Sequence, residues 1–141
     1  GSVKNLLLGK NNFHELQPIN ITPVPSMVML KLQECGLTTS DIEPLFTLLS
    51  AAGSVQDLVL INNNLHNFGS PNITPVPSLE SLHLYECGLT ELDVFFVLPI
   101  ASAAGSVKEV IMLNNNRYER YGVERRQYYP RKRRGKCCVV V

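Results

Sequence analysis

The sequence predicts an α/β solenoid: a curved parallel sheet of short stacked strands, with helices and irregular proline-rich segments on its convex side. Three observations predict it. A block of 52 residues recurs, opening at Gly1-Ser2-Val3, Gly53-Ser54-Val55 and Gly105-Ser106-Val107, and self-similarity at a fixed period marks a chain that stacks one structural unit on the next. Each complete block holds two segments of Leu-x-Leu type. The connections that follow them alternate between helical spacing and proline-rich sequence.

The strands come first. The first block carries Val3, Leu6, Leu8, Asn11 and Phe13, then Met27, Leu30, Leu32, Cys35 and Leu37. The second carries Val55, Leu58, Leu60, Asn63 and Leu65, then Leu79, Leu82, Leu84, Cys87 and Leu89. A fifth unit reads Val107, Val110, Met112 and Asn115, with Arg117 in the last apolar place. Units therefore start at 3, 27, 55, 79 and 107, with spacings of 24 and 28 in alternation. A period of two puts both leucines on one face of a strand. Stacked strands then share one core that runs through every unit. The Asn or Cys after each strand is expected inside the turn, where an Asn side chain satisfies backbone groups whose unpaired burial costs roughly 1–3 kcal/mol each. Cys35 and Cys87 are accordingly expected to be buried and inert.

The return paths differ. From Asp41 to Ala52, Leu45, Leu48 and Leu49 recur at helical spacing. Ser40 or Asp41 is the expected N-cap, which puts Pro44 in or near the first turn, where proline is best tolerated. Glu91 to Ala104 is the equivalent segment, which Pro99 is expected to shorten or kink. Pro23 and Pro25, then Pro75 and Pro77, forbid a regular helix in the other units and predict an extended crossing.

The frame resembles the leucine-rich-repeat pattern L-x-x-L-x-L-x-x-N/C-x-L. The Cys-Gly-Leu-Thr form at 35–38 and 87–90, with units of 28 residues, is similar to the ribonuclease-inhibitor subtype, which also occurs in NOD-like receptors. The resemblance covers residues 1–116. The 24-residue units depart from the subtype in that their proline-rich stretch replaces the usual helix. Residues 1–116 are thus expected to form a repeat domain of about five units, a piece of a longer solenoid. Residues 117–141 are expected to be a flexible tail.

Strand alternation turns the residues between the leucines outward onto the concave face. One column there reads Leu7, Lys31, Val59, His83 and Ile111, and its neighbour reads Gly9, Gln33, Ile61, Tyr85 and Leu113. A further row adds Lys10, Glu34, Asn62, Glu86 and Asn114. An exposed apolar patch with a polar rim marks a protein-binding surface. The expected contact residues are Leu7, Lys31, Val59, Ile61, His83, Tyr85, Ile111 and Leu113. The competing reading is that the patch serves self-association or lies under missing parts of the chain.

Catalysis is not expected. His14 and His66 share one repeat position and His83 lies on a strand, so the three histidines do not cluster as a metal-ligand set would. No phosphate-binding loop, nucleophile elbow or His-Glu-x-x-His pattern occurs. No cofactor, metal or small-molecule substrate is expected. Asn20-Ile21-Thr22 and Asn72-Ile73-Thr74 have the form of glycosylation acceptors, but polar turns before the proline crossing explain them. Unpaired cysteines point to a reducing compartment, and the expected location is the cytoplasm or nucleus.

Charge divides the chain. Residues 1–116 carry four Lys against ten acidic residues, a balance of −6, whereas 117–141 carry nine Lys or Arg against Glu119 and Glu124, a balance of +7. A solvated charged end is the plain reading of this tail. The run Arg131-Lys132-Arg133-Arg134-Gly135-Lys136 leaves a nuclear-localisation signal, nucleic-acid contact or a membrane surface as alternatives. The ending Cys138-Val139-Val140-Val141 has the form of a prenylation signal, which makes Cys138 a candidate lipidation site beside a polybasic segment.

Overall fold

The computed structural model describes residues 3–13, 24–67, 69–113, 115 and 136–140. Its elements are β1 (Asn5–Gly9), β2 (Met29–Gln33), a 3-10 turn (Thr39–Asp41), α1 (Ile42–Ala52), β3 (Asp57–Ile61), β4 (Ser81–Tyr85), α2 (Glu91–Ala104), β5 (Glu109–Leu113) and β6 (Lys136–Val140). The strands form one sheet in sequence order. β1 to β5 are parallel and in register, so Leu8, Leu32, Leu60, Leu84 and Met112 stand in one row. Leu6, Leu30, Leu58, Leu82 and Val110 make a second row beside it.

Both rows face the helices. Leu58, Leu60, Leu82 and Leu84 are buried together with Ile42, Leu45, Phe46, Leu49, Val94, Val97 and Ile100 in one continuous core. At the β1 end no further unit covers the stack among the described residues. Leu6 and Leu8 are only partly buried there, and an apolar space of about 440 Å³ opens among Leu6, Leu8, Phe13, Val24, Leu45 and Leu49. Each internal unit is sealed by its successor, because neighbouring units supply one another's burial.

The helix starts depend on a device one turn earlier than the expected cap. The Thr38 N–H donates to Asp41 Oδ2 at 2.8 Å, and the Thr90 N–H donates to Asp93 Oδ2 at 2.8 Å. Both carboxylates are buried and close capping boxes, in which each side chain satisfies a backbone donor of the other residue. Asp41 does stand at the N-cap of α1, but its side chain bonds back to Thr38 rather than forward into the helix. Pro44 falls in the first turn of α1. Pro99 does not shorten α2, which runs 14 residues against 11 for α1. It lies on the exposed flank of the helix, where its missing N–H and bulky ring meet solvent instead of the core.

Residues 69–76 carry no regular element, in keeping with their prolines. The crossing is held by backbone bonds to the helix that follows: Val76 N–H donates to Ala104 O at 3.0 Å, and Val24 N–H to Ala52 O at 3.3 Å. Ser54 and Ser106 repeat the same tie, donating to the carbonyls of Val24 and Met27 and of Val76 and Leu79.

β6 has no place in the repeat frame. It pairs antiparallel with β5, setting Lys136 opposite Leu113 and Cys138 opposite Ile111. Residues 136–140 are a strand on the sheet edge, as β-branched residues favour. The rest of the basic run, with its tyrosines, lies outside the described residues, as do His14 and the Asn20 acceptor.

Candidate functional site

The face of the sheet away from the helices is built by the residues between the leucines. The register sets Leu7, Lys31, Val59, His83 and Ile111 side by side, and beside them Gly9, Gln33, Ile61, Tyr85 and Leu113. All eight expected contact residues therefore fall on one face. They are not equally available: Leu7 is 62% exposed, whereas Val59 is 7% exposed. Val59 stands between the longer Lys31 and His83 on the adjacent strands, so this short side chain is shielded by its neighbours and forms the floor of the face. Lys31, Ile61, His83, Tyr85, Ile111 and Leu113 are partly exposed.

Two of these side chains are linked. His83 Nδ1 and Tyr85 Oη are 2.7 Å apart, and the rings meet edge to face at 88° with centroids 5.7 Å apart. The pair fixes the Tyr85 ring and leaves an aromatic body and a polar tip on one surface, a combination suited to a protein contact. Gln33 Nε2 donates to Glu34 Oε1 at 3.3 Å at the edge of the same face.

A third row was missed in the sequence. Asn5, Met29, Asp57, Ser81 and Glu109 occupy the first position of their strands and point to this same side. The alternation that singled out Lys31 and Gln33 implies Met29 as well, two residues earlier. Ser81 Oγ donates to Asp57 Oδ1 across this row. The face thus runs from a polar, acidic margin at the strand starts to an apolar strip at Ile61, Tyr85 and Leu113.

Beyond the strip, each chain turns through a left-handed residue: Lys10, Glu34, Asn62 and Glu86 have φ between 51° and 55°. Lys10, Glu34, Asn62 and Glu86, the described members of the outer row, therefore form the bend itself. Under it lies the ladder that closes the turns. Asn63 is 5% exposed; its Oδ1 accepts from Cys35 N–H at 3.1 Å and Leu37 N–H at 3.2 Å, and its Nδ2 donates to Leu32 O and Ile61 O. Asn115 does the same for Cys87, Leu89, Leu84 and Leu113. Cys35 and Cys87 donate through sulfur to Leu8 O and Leu60 O, each at 3.4 Å. Burial pushes the Cys87 thiol up to about 12 and moves Cys35 in the same direction. Thiols held protonated in this way are neither nucleophiles nor metal ligands.

Among the described residues, no group of three or more His, Cys, Asp or Glu side chains is placed to hold a metal ion. His66 is exposed and its carbonyl accepts from Thr39 Oγ1. No described helix is long and apolar enough to cross a membrane. An open groove lined by Gly36, Thr38, Asn62, Asn64, Glu86 and Gly88 follows the turns at the strand ends, along the margin of the face.

Known proteins give the repeats a context. The ribonuclease inhibitor of Mus musculus is 31% identical over 91 residues, which are 61% of this chain and 20% of that protein. The ribonuclease inhibitor of Sus scrofa is 27% identical over 100 residues, 67% of this chain and 22% of that protein. The chain spans about one fifth of the length of these relatives. No family model matches the chain, and no solved structure matches it.

Proposed function

We propose that this chain, a leucine-rich-repeat solenoid similar to ribonuclease inhibitors, is a non-catalytic module that binds a partner protein on the helix-free face of its sheet. The observation that carries the reading is the continuous strip of Ile61, Tyr85 and Leu113, adjacent in register and partly exposed, with Tyr85 steadied by His83. Aromatic and aliphatic anchors within a polar margin are what a protein interface requires. Lys31 and Leu7 extend the strip toward β1, and Ile111 extends it toward β5. The relatives support binding rather than turnover, being named as inhibitors of an enzyme.

Capture from a cell extract by the intact chain tests this, run beside an Ile61→Glu/Tyr85→Glu variant of unchanged melting temperature. Proteins retained by the native chain and lost by the variant support the face. Equal retention by both defeats it.

A further inference from the structure

The middle of the helix-free face is aliphatic except for one pair. Tyr85 stands between Ile61 and Leu113, and His83 between Val59 and Ile111. An imidazole and a phenol are thus flanked on both sides by aliphatic residues, with His83 Nδ1 and Tyr85 Oη 2.7 Å apart. The other ionisable residues of this face surround the pair. Asp57 on β3 and Glu109 on β5 stand at the strand starts, and Lys31 on β2 lies beyond Val59. On β6, Cys138 is opposite Ile111 and Lys136 opposite Leu113; Glu86 is in the bend after Tyr85. Among the described residues, Tyr85 is the side chain bonded to the imidazole.

One hydrogen joins the two atoms, and its owner depends on the charge of His83. In a neutral imidazole one nitrogen donates and the other accepts. A phenol O–H is the more acidic donor of the two groups, so in the neutral pair the Tyr85 hydroxyl donates to Nδ1. Its oxygen then turns its lone pairs toward the face. An imidazolium carries a hydrogen on both nitrogens. Nδ1–H must now donate, Tyr85 Oη must accept, and the phenol hydrogen swings outward. The heavy atoms stay in place, because a separation of 2.7 Å serves a bond in either direction. Histidine is the side chain that ordinarily changes charge between about pH 5 and 8.

We propose that the His83–Tyr85 pair is a proton-operated switch in the middle of the binding face, which releases a bound partner protein on acidification by turning the Tyr85 hydroxyl from acceptor to donor. The inference rests on the reading of this face as a protein-binding surface. A partner that covers Ile61, Ile111 and Leu113 also seals the pair from water, and so must supply a donor to Tyr85 Oη. Protonation of His83 sets two donors against each other and leaves a cation under an apolar cover. Both effects oppose binding. With the face uncovered, water meets either form, so the proton acts on binding and leaves the fold alone.

The test has two arms. NMR of the intact chain, titrated from about pH 8 to about pH 5, reads the pair without a partner. At the alkaline end His83 Nδ1 is expected to carry no hydrogen, and the Tyr85 ring signals should move with the His83 midpoint. In a His83→Gln variant the Tyr85 signals should stay still. A hydrogen on Nδ1 at the alkaline end, still Tyr85 signals in the native chain, or equal movement in both proteins overturns the switch. The second arm takes the proteins that the native chain retains and Ile61→Glu/Tyr85→Glu loses, and washes the loaded native chain at the two pH extremes. Retention should fall at least about five-fold at the acid end, the effect of one unmatched buried group. Equal retention at both extremes, or a matching fall from His83→Gln, overturns the proposal and leaves the binding reading standing. The absence of any such protein defeats the binding reading itself, and the release step with it.

Discussion

Asn63 Oδ1 lies 3.1 Å from the amide nitrogen of Cys35, one unit away, and so adds a side-chain tie to the backbone bonds that Glu34 N–H and Asn64 N–H make between the same two turns. With its other three bonds, this buried amide serves donors and acceptors from both units. Replacing Asn63 with Ala is expected to leave the Cys35 and Leu37 amides and the Leu32 carbonyl short of partners. At roughly 1–3 kcal/mol for each buried group, the loss should reach at least about 3 kcal/mol. Urea unfolding checks it; a loss below about 1 kcal/mol, the worth of a single ordinary hydrogen bond, would show that water replaces the side chain.

Neighbouring residues on one strand should behave oppositely. Leu60 is 1% exposed, within the core, and Leu60→Ala is expected to destabilise by roughly 2–5 kcal/mol through the cavity it leaves. Ile61, facing the other way, should accept Glu at a cost of no more than about 1 kcal/mol, as surface changes generally do. Thermal melts of the two variants decide it, and similar losses in both would mean that the faces are assigned the wrong way round.

Alkaline pH should find Cys87. Its thiol is raised from the ordinary 9.0 to about 12 in the folded chain, so between those values the unfolded chain releases a proton that the folded chain retains. The stabilising contribution is complete below about pH 9 and declines as pH rises toward 12. Urea midpoints at intervals from neutral to alkaline pH, compared with Cys87→Ala, should show a steeper fall in the native chain. Parallel curves would contradict it.

Gly53 ends α1 with φ at 79° and has no atom nearer than 4.0 Å to an added Cβ. Gly53→Ala should therefore cost roughly 1–2 kcal/mol for backbone conformation alone. Gly69, with open space and no left-handed angle, is the control, and its change to Ala should be near neutral by melting temperature.

Much of this was legible in the sequence, because period-two leucines and a post-strand Asn or Cys are constraints that each unit must meet by itself. The strand row, the buried cysteines and the outward columns follow directly from that alternation. What stayed hidden depends on neighbours. Val59 has the pattern of an exposed residue and is covered because Lys31 and His83 flank it. The left-handed bends at Lys10, Glu34 and Glu86 carry residue types that give no sign of positive φ; the bonds on either side impose it. Pro99 signals a break that the exposed flank of α2 absorbs. β6 follows no repeat frame, so only its pairing with β5 discloses it.

The recurring serine ties of Ser54 and Ser106, 52 residues apart, mean that one joint is used twice without alteration. A gene that gained or lost one whole block would splice like onto like, and its product would meet no unfamiliar seam. Any other length of insertion would put a helix-bearing unit where a proline-rich one is required. Growth of such a protein over generations is therefore expected in whole steps, each adding two strands to the surface offered to its partner.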